Sequence, residues 1–159
     1  MADVVVESYL LVGGGFVRVL DVDVLPGDGR YIEGAIELVI DGTAILDTTL
    51  WDDVDVLWAY IVNMMEELET GDSAETYFPD QPLKLKCERV RWRGMLKVSL
   101  TWASTTRTAM VPEDEFRSAL CDQATTFFEK MIELAPVNEQ GYCYCLTRIA
   151  EIRRSGPFR

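Results

Sequence analysis

Residues 51–68 form the stretch that decides the fold, and their sequence is WDDVDVLWAYIVNMMEEL. The apolar residues of this stretch recur at i, i+3, i+4 and i+7, which predicts one buried face of a helix. They are Val54, Leu57, Trp58, Ile61, Met64, Met65 and Leu68. Val62 and Tyr60 widen the face beyond what a surface helix needs. We therefore expect a central helix that is covered from two sides or held against a sheet.

Four strands are predicted before this helix. Apolar and polar residues alternate in most of them, and glycine-rich or Pro-Gly turns separate them. They span residues 4–12, 16–24, 31–40 and 43–50. Asp41-Gly42 is typical of a two-residue hairpin turn between the last two. The pattern predicts a first antiparallel meander that leads directly into the central helix.

A second series of strands and helices follows. Residues 83–88 alternate as a strand with Lys84 and Lys86 on its outer face, and Arg89, Arg91 and Arg93 continue that basic stripe. Two more strands, at residues 95–102 and 107–111, complete a second meander. Pro112 predicts the start of a second long helix that reaches about residue 134. A shorter helix, capped by Asn138, is predicted from residue 139 to about 153.

These elements predict an α+β fold with about seven strands in two meanders. Two long helices and a shorter C-terminal helix are expected to pack on one face of the sheet. The order of strands and helices favours a single domain at residues 1–154 and a flexible tail at 155–159. A degenerate internal duplication of residues 1–70 and 74–135 is one interpretation of the same order.

The composition narrows the function mainly by exclusion. The chain has 159 residues, with 27 Asp and Glu against 15 Lys and Arg, which gives a net charge of −12. This charge repels nucleic acid and anionic lipid and attracts a basic protein partner, although solubility alone would explain it equally well. The first residues lack a basic leader segment, and no apolar run approaches the ~20 residues that span a bilayer. We expect a cytoplasmic protein that binds neither nucleic acid nor membrane.

The chain contains no histidine. This excludes Ser-His-Asp and Cys-His catalysis and removes the commonest zinc ligand. Cys87, Cys121, Cys143 and Cys145 lack the spacing of a metal or redox clip and are expected to be reduced thiols. Asp52, Asp53 and Asp55 lie where a helix dipole favours anions and do not follow a calcium-loop spacing. We therefore predict no catalytic residue, no cofactor and no metal, although a pair of carboxylates could still support catalysis.

Five residues are candidates for contact with a partner. Asp21 and Asp23 are predicted to share one face of the second strand, and Glu33 and Glu37 one face of the third. Trp92 lies among arginines near a hairpin tip, a frequent setting for an interface anchor. The alternatives are an acidic face that meets only water and a tryptophan covered by a neighbouring arginine.

Two segments carry a resemblance to known proteins. They are the pattern Trp51-x-x-Val54-Asp55-x-Leu57-Trp58-x-Tyr60 and the segment Tyr77-Phe78-Pro79-Asp80-Gln81-Pro82. The chain resembles, over about residues 31–134, a group of small acidic bacterial proteins of unassigned function. In size, acidity and α+β pattern it is also similar to bacterial immunity proteins, which block a partner toxin by occluding it. Neither resemblance supplies catalytic residues.

The leading hypothesis from the sequence is a non-enzymatic binding protein of immunity or antitoxin type that occludes a basic protein partner. The first alternative is a small-ligand-binding protein or a carboxylate-dependent enzyme with a pocket between the sheet and the central helix. The second is a self-assembling domain, such as a homodimer, in which the wide apolar face of residues 51–68 is the contact surface.

Overall fold

A computed structural model describes residues 2–90 and 94–155 of the chain. The described part is an α+β fold with two antiparallel sheets and three helices. The first sheet contains β1 Val4–Val12, β2 Gly15–Arg18, β3 Glu33–Ile40, β4 Thr43–Leu46 and β5 Asp52–Asp53. The second contains β6 Ser73–Tyr77, β7 Lys84–Arg89, β8 Met95–Trp102 and β9 Thr105–Pro112. The helices are α1 Val54–Leu68, α2 Glu113–Leu134 and α3 Glu139–Arg154.

The first sheet is not the predicted meander. Its strand order is β2-β1-β3-β4, with β5 paired to the end of β3, so β1 pairs with β3 as well as with β2. The predicted strand at residues 16–24 ends at Arg18 and passes into a short 3₁₀ turn, Val19–Asp21. Val19 and Val22 both enter the core there, because residues three apart lie on the same side of a 3₁₀ turn.

The second sheet is a true meander with one strand more than predicted. Its order is β6-β7-β8-β9, and consecutive strands are neighbours throughout. Strand β6 was missed because Ala74 is its only buried residue, so it lacks an apolar alternation that a sequence pattern could detect. The described residues therefore contain nine strands, where the sequence predicted about seven.

Three helices are present as predicted, but the C-terminal helix is not the short one expected, since α3 has 16 residues and α1 has 15. Every residue of the predicted α1 stripe is buried, and so is Val62. Helix α2 starts directly after Pro112, and α3 extends to Arg154, close to the predicted end at about residue 153. The predicted tail begins with Ser155, whose hydroxyl donates to Glu69 Oε1 at 2.9 Å, and its other residues lie outside the described part.

The helices do not pack on one face of a single sheet, as the sequence had suggested. Helix α1 contacts both β3 and β6, and α2 contacts both β1 and β9, so these two helices touch both sheets, whereas α3 packs mainly on α1 and α2. Strand β4 also contacts β8 and β9, and the apolar side chains form one continuous core. Among the described residues, no helix is both long enough and apolar enough to cross a membrane.

Trp58 lies at the centre of this core. Its side chain is fully buried and packs against Phe127, with the ring centroids 6.2 Å apart. Its indole Nε1–H donates to Ser8 Oγ at 2.9 Å, which satisfies the hydroxyl of a buried serine on β1. Helix α1 is thereby held to the inner face of the first sheet.

Arg89 and Glu113 form a largely buried ion pair that joins the end of α1 to the start of α2. Arg89 Nε lies 3.0 Å from Glu113 Oε1, in the first turn of α2. The same guanidinium donates from Nη2 to the carbonyl of Leu68 at 2.6 Å, at the end of α1, and from Nη1 to the carbonyl of Gly71. Arg89 is therefore turned inward and does not belong to the predicted outer basic stripe. Residues that share a face of a strand are separated by an even number of positions, and Arg89 is an odd number of positions from Lys84 and Lys86.

Replacement of Trp58 by alanine should lower the free energy of unfolding by about 3–5 kcal/mol, because it opens a large cavity and leaves Ser8 unpaired. Tyr60→Ala is the matched control, since Tyr60 lies on the same helix with 38% of its surface exposed. The control should cost less than about 1 kcal/mol. Urea unfolding of both variants measures the difference, and equal losses would contradict the core assignment.

Arg89→Met should destabilise the fold by about 3–5 kcal/mol, because it leaves the Glu113 carboxylate buried without its cation. Arg18→Met removes an exposed ion pair, in which Arg18 Nε lies 3.5 Å from Glu7, and should cost less than about 1 kcal/mol. Both values come from chemical denaturation at neutral pH. A loss for Arg89→Met as small as that for Arg18→Met would show that the buried pair does not hold the helices together.

Candidate functional site

Three aspartates at the junction of β5 and α1 take three different positions. Asp52 points inward and is fully buried. Its carboxylate accepts hydrogen bonds from the backbone N–H groups of Asp53 at 2.6 Å, Asp80 at 3.0 Å and Gln81 at 3.1 Å. Asp52 therefore fixes the segment at residues 79–82 against the start of α1, which is a structural role.

Asp53 and Asp55 form a carboxyl pair that is tied to α3. The two groups share a hydrogen bond, and Asp53 Oδ1 accepts the backbone N–H of Ile32 at 3.3 Å. Asp55 Oδ2 accepts the hydroxyl of Tyr142 at 2.7 Å. Asn138 Nδ2 in turn donates to the Tyr142 oxygen at 3.2 Å and to the carbonyl of Gly29 at 2.9 Å. One hydrogen-bonded chain thus connects the start of α1 to the start of α3.

The environment raises the pKa values of two groups in this series of hydrogen-bonded side chains, Asp53 and Tyr142. Burial, followed by the hydrogen bond to Asp55 and the charge of Asp55, raises the pKa of Asp53 to about 7. Burial and the neighbouring Asp55 carboxylate also raise the pKa of Tyr142, so its phenol keeps the proton that it donates. The carboxyl pair therefore exchanges a proton near neutral pH, the range in which a general acid or base is most effective.

A cavity of about 440 Å³ opens beside the carboxyl pair, between the three helices. Its polar end contains Asp55, Tyr142, Asn138 and Gln140. The other lining residues are apolar or lack a charge, and they are Val56, Ala59, Phe128, Val137, Gly141 and Cys145. A concave apolar site with a few convergent polar groups is the usual form of a small-ligand site. The sequence had suggested a pocket between the sheet and the central helix, whereas this cavity lies on the opposite, helical side of α1.

Two observations concern the thiol and the carboxyl groups near the cavity. Burial raises the pKa of the Cys145 thiol, so the reactive thiolate is disfavoured. Within residues 2–90 and 94–155, no group of three or more cysteine, aspartate and glutamate side chains is arranged to hold a metal ion. The arrangement can accept hydrogen bonds, take up a proton and attract a positive charge.

Two of the predicted partner-binding residues share a face, as expected. Glu33 and Glu37 lie half-buried on the outer side of β3, where Glu37 is opposite Glu7 and Glu33 is opposite Asp53. We call Glu7, Glu33, Glu37 and Asp53 the acidic face. Cross-strand partners point to the same side of a sheet, so these four carboxyl groups lie on one surface.

The other three candidates do not join them in the described structure. Asp21 and Asp23 are exposed, but they follow the end of β2 and do not lie on a strand, because the chain has turned there to bury Val19 and Val22. Trp92 lies outside the described residues, as do Arg91 and Arg93.

The sequence missed the partners of the carboxyl pair. Tyr142 is buried on α3, and nothing in its spacing indicated a bond to Asp55. Asn138 was expected to cap α3, whereas its side chain forms no cap hydrogen bond and binds Gly29 and Tyr142. The only available signal was a buried tyrosine, whose hydroxyl must find a partner.

The raised pKa of Asp53 makes a prediction about pH and stability. A protonated Asp53 is favoured in the folded state, so its contribution is complete below its unfolded pKa of about 3.9 and is lost as the pH rises through about 7. Asp53→Asn should therefore unfold at a higher temperature than the wild type at about pH 8, and the difference should shrink at about pH 5. Asp21→Asn carries the same charge change at an exposed site and should show no such dependence. Melting curves of the wild type and both variants at the two pH values measure this difference. The same shift of Asp53→Asn at both pH values would contradict the assignment.

No protein-family model, curated protein or solved structure matches the chain. The resemblance to small acidic bacterial proteins and to immunity proteins therefore stays a prediction. Support for a function comes instead from the acidic face, the carboxyl pair and the cavity beside it.

Proposed function

We propose that the chain is a non-enzymatic binding protein of immunity or antitoxin type, and that its acidic face covers a basic protein partner. The observation that carries this proposal is the placement of carboxylates opposite each other across neighbouring strands. Glu7 is the direct partner of Glu37, and Glu33 is the direct partner of Asp53. The net charge of −12 supports the same conclusion.

Like charges at directly opposite positions destabilise a sheet, because their Cβ atoms are only about 4.5–5.5 Å apart. Arg18 offsets part of this repulsion, since its Nε lies 3.5 Å from Glu7, but this ion pair is exposed and therefore weak. The repulsion that remains on the acidic face would be relieved when a partner brings lysine or arginine side chains to it. A surface that is unfavourable alone and favourable in a complex suits a binding protein.

The acidic face also contains an aromatic and apolar centre. Tyr9 lies opposite Arg18 on one side and Ala35 on the other, and it is half-buried between the charged pairs. Burial, and then the charges of Glu37 and Glu7, raise the pKa of its phenol, so Tyr9 stays neutral. Val5 lies on the same face with 43% of its surface exposed. Tyrosine is enriched at the centres of protein interfaces, and charged residues lie mainly at the rim.

The proposal predicts opposite effects of one substitution on stability and on binding. Glu37→Gln removes a like-charge pair and should raise the free energy of unfolding by about 0.2–1 kcal/mol. The same variant should lose affinity for the basic partner by about tenfold, because the charge pair between Glu37 and a lysine or arginine of the partner is lost. Glu151→Gln, at an exposed position on α3, is the matched control and should change neither quantity.

The measurement is a comparison of the tagged wild type and both variants as baits, at low and at high salt, in extract of the native host. The partner should be basic, should be retained by wild type and by Glu151→Gln, and should be released by salt, because the attraction is screened. Equal retention by Glu37→Gln, or retention that ignores ionic strength, would overturn the proposal.

A second candidate function is favoured by the carboxyl pair. An aspartate with a pKa of about 7 next to a cavity would suit a small-ligand-binding protein or a carboxylate-dependent enzyme in which the pair donates and accepts a proton. Asp55→Asn separates the two candidates, because it alters the cavity and leaves Glu7, Glu33 and Glu37 unchanged; of the acidic face it affects only Asp53, whose pKa it lowers. Loss of partner retention only in Glu37→Gln supports the binding protein.

Self-assembly through the wide face of α1 loses its original support. Most apolar residues that suggested a contact surface are buried within the chain, including Val62, whereas Trp51 and Tyr60 of residues 51–68 are exposed. A homodimer stays a prediction that light scattering would test, and it would need a surface other than this face.

A further inference from the structure

The cavity between the helices has a charge that the rest of its wall does not balance. Asp55 provides a carboxylate at one end, and the ten residues that line the cavity include no lysine or arginine. Arg148 lies near the wall on α3, but its guanidinium is engaged by Glu66, with Nη2 2.8 Å from Oε1, and it covers the ring of Tyr144 at 5.5 Å. An anion would therefore find no counter-charge in the cavity, whereas a cation would.

Asp55 keeps capacity for a further donor. A carboxylate has about four acceptor positions. Asp55 uses one for the Tyr142 hydroxyl, one for the backbone N–H of Val56 at 2.9 Å and one for the hydrogen bond with Asp53. A donor that enters the cavity can take the position that remains.

The apolar residues that line the cavity favour a ligand with an apolar part. Val56 and Ala59 of α1, Phe128 of α2 and Val137 of the connecting turn supply apolar surface to the cavity. The rings of Phe128 and Tyr142 lie 5.7 Å apart, and Tyr142 binds Asp55, so a cation at Asp55 can also contact an aromatic ring. The volume of about 440 Å³ is within the range of small-ligand sites and exceeds what a hydrated metal ion needs.

We propose that this cavity binds an organic cation, an ammonium or guanidinium group on a short apolar stem, with Asp55 as its counter-ion. The cation donates to Asp55 at the polar end, and the stem lies against Val56, Ala59 and Val137. The same chemistry is carried by a free alkylamine and by a lysine or arginine side chain that projects from a protein. The inference concerns the cavity alone and does not require the acidic face to bind a partner.

The test is a titration of the isotope-labelled full chain, followed by the backbone amide signals of the cavity residues. The probes are n-pentylammonium, 1-pentanol and hexanoate, which share an apolar stem and differ in charge. We expect pentylammonium to bind about tenfold more tightly than pentanol, because a hydrogen bond to a charged group is the stronger kind, and hexanoate to bind least. Equal binding of the amine and the alcohol, or signals that do not move for the amine, would overturn the proposal.

A blocked tripeptide with a central lysine separates the two sources of the cation. If the tripeptide shifts the same signals as pentylammonium, the occupant is a side chain of a protein; if only pentylammonium does, the occupant is a free amine. Both outcomes support a cation site in the cavity. Failure of the partner assay on the acidic face would leave either result unchanged, so the two proposals fail separately.

Two variants on opposite walls, with one control, locate the site. Asp55→Asn should weaken pentylammonium binding about tenfold and leave pentanol unchanged, since only the charge is lost. Gly141→Leu adds a side chain at a position where a Cβ meets nothing within 4 Å, so it should block the cavity and reduce the binding of both probes without harm to α3. Asp72→Asn, exposed beyond the end of α1, should change neither. Unaltered pentylammonium affinity in both cavity variants, with melting curves that confirm folding, would contradict the site.

Discussion

The ion pair between Arg89 and Glu113 is the contact that joins the end of α1 and the start of α2 to one strand of the second sheet. Arg89 reaches from the end of β7 to the last carbonyls of α1, and Glu113 lies in the first turn of α2. A cation at a helix C-terminus and an anion at a helix N-terminus both complement the helix dipole. Because a largely buried charge without its partner is costly, the two helix ends are held next to the same strand.

At the junction of β5 and α1, the change from a strand to a helix points three neighbouring aspartates in three different directions. In the two-residue strand, alternation turns Asp52 into the core and Asp53 toward the outer face of the first sheet. The helix then rotates the chain, so Asp55 meets Tyr142 on α3. One carboxylate therefore holds a loop, one belongs to the acidic face, and one enters the cavity.

This division gives the two proposals a common physical basis. Asp53 is both a cross-strand partner of Glu33 and a hydrogen-bond partner of Asp55, so negative charge extends from the sheet surface to the edge of the cavity. Burial is the largest cause of the raised pKa of Asp53, and the neighbouring Asp55 and Asp52 raise it further. A ligand with positive charge near Asp53 favours its ionised form, whether the ligand binds on the acidic face or in the cavity. Electrostatics therefore suggests the class of ligand, while shape distinguishes a protein surface from a small organic cation.

The sequence by itself determined the elements whose patterns are local. The 3.6-residue period predicted α1, the proline before α2 predicted the start of that helix, and alternation predicted β7 and placed Glu33 and Glu37 on one face. Only the tertiary structure decided the pairing of β1 with β3, the inward turn of Arg89 and the bond between Asp55 and Tyr142. These contacts join residues that are far apart in the chain. Their energy depends on burial and on complementary charge in three dimensions, and no periodicity in the sequence encodes it.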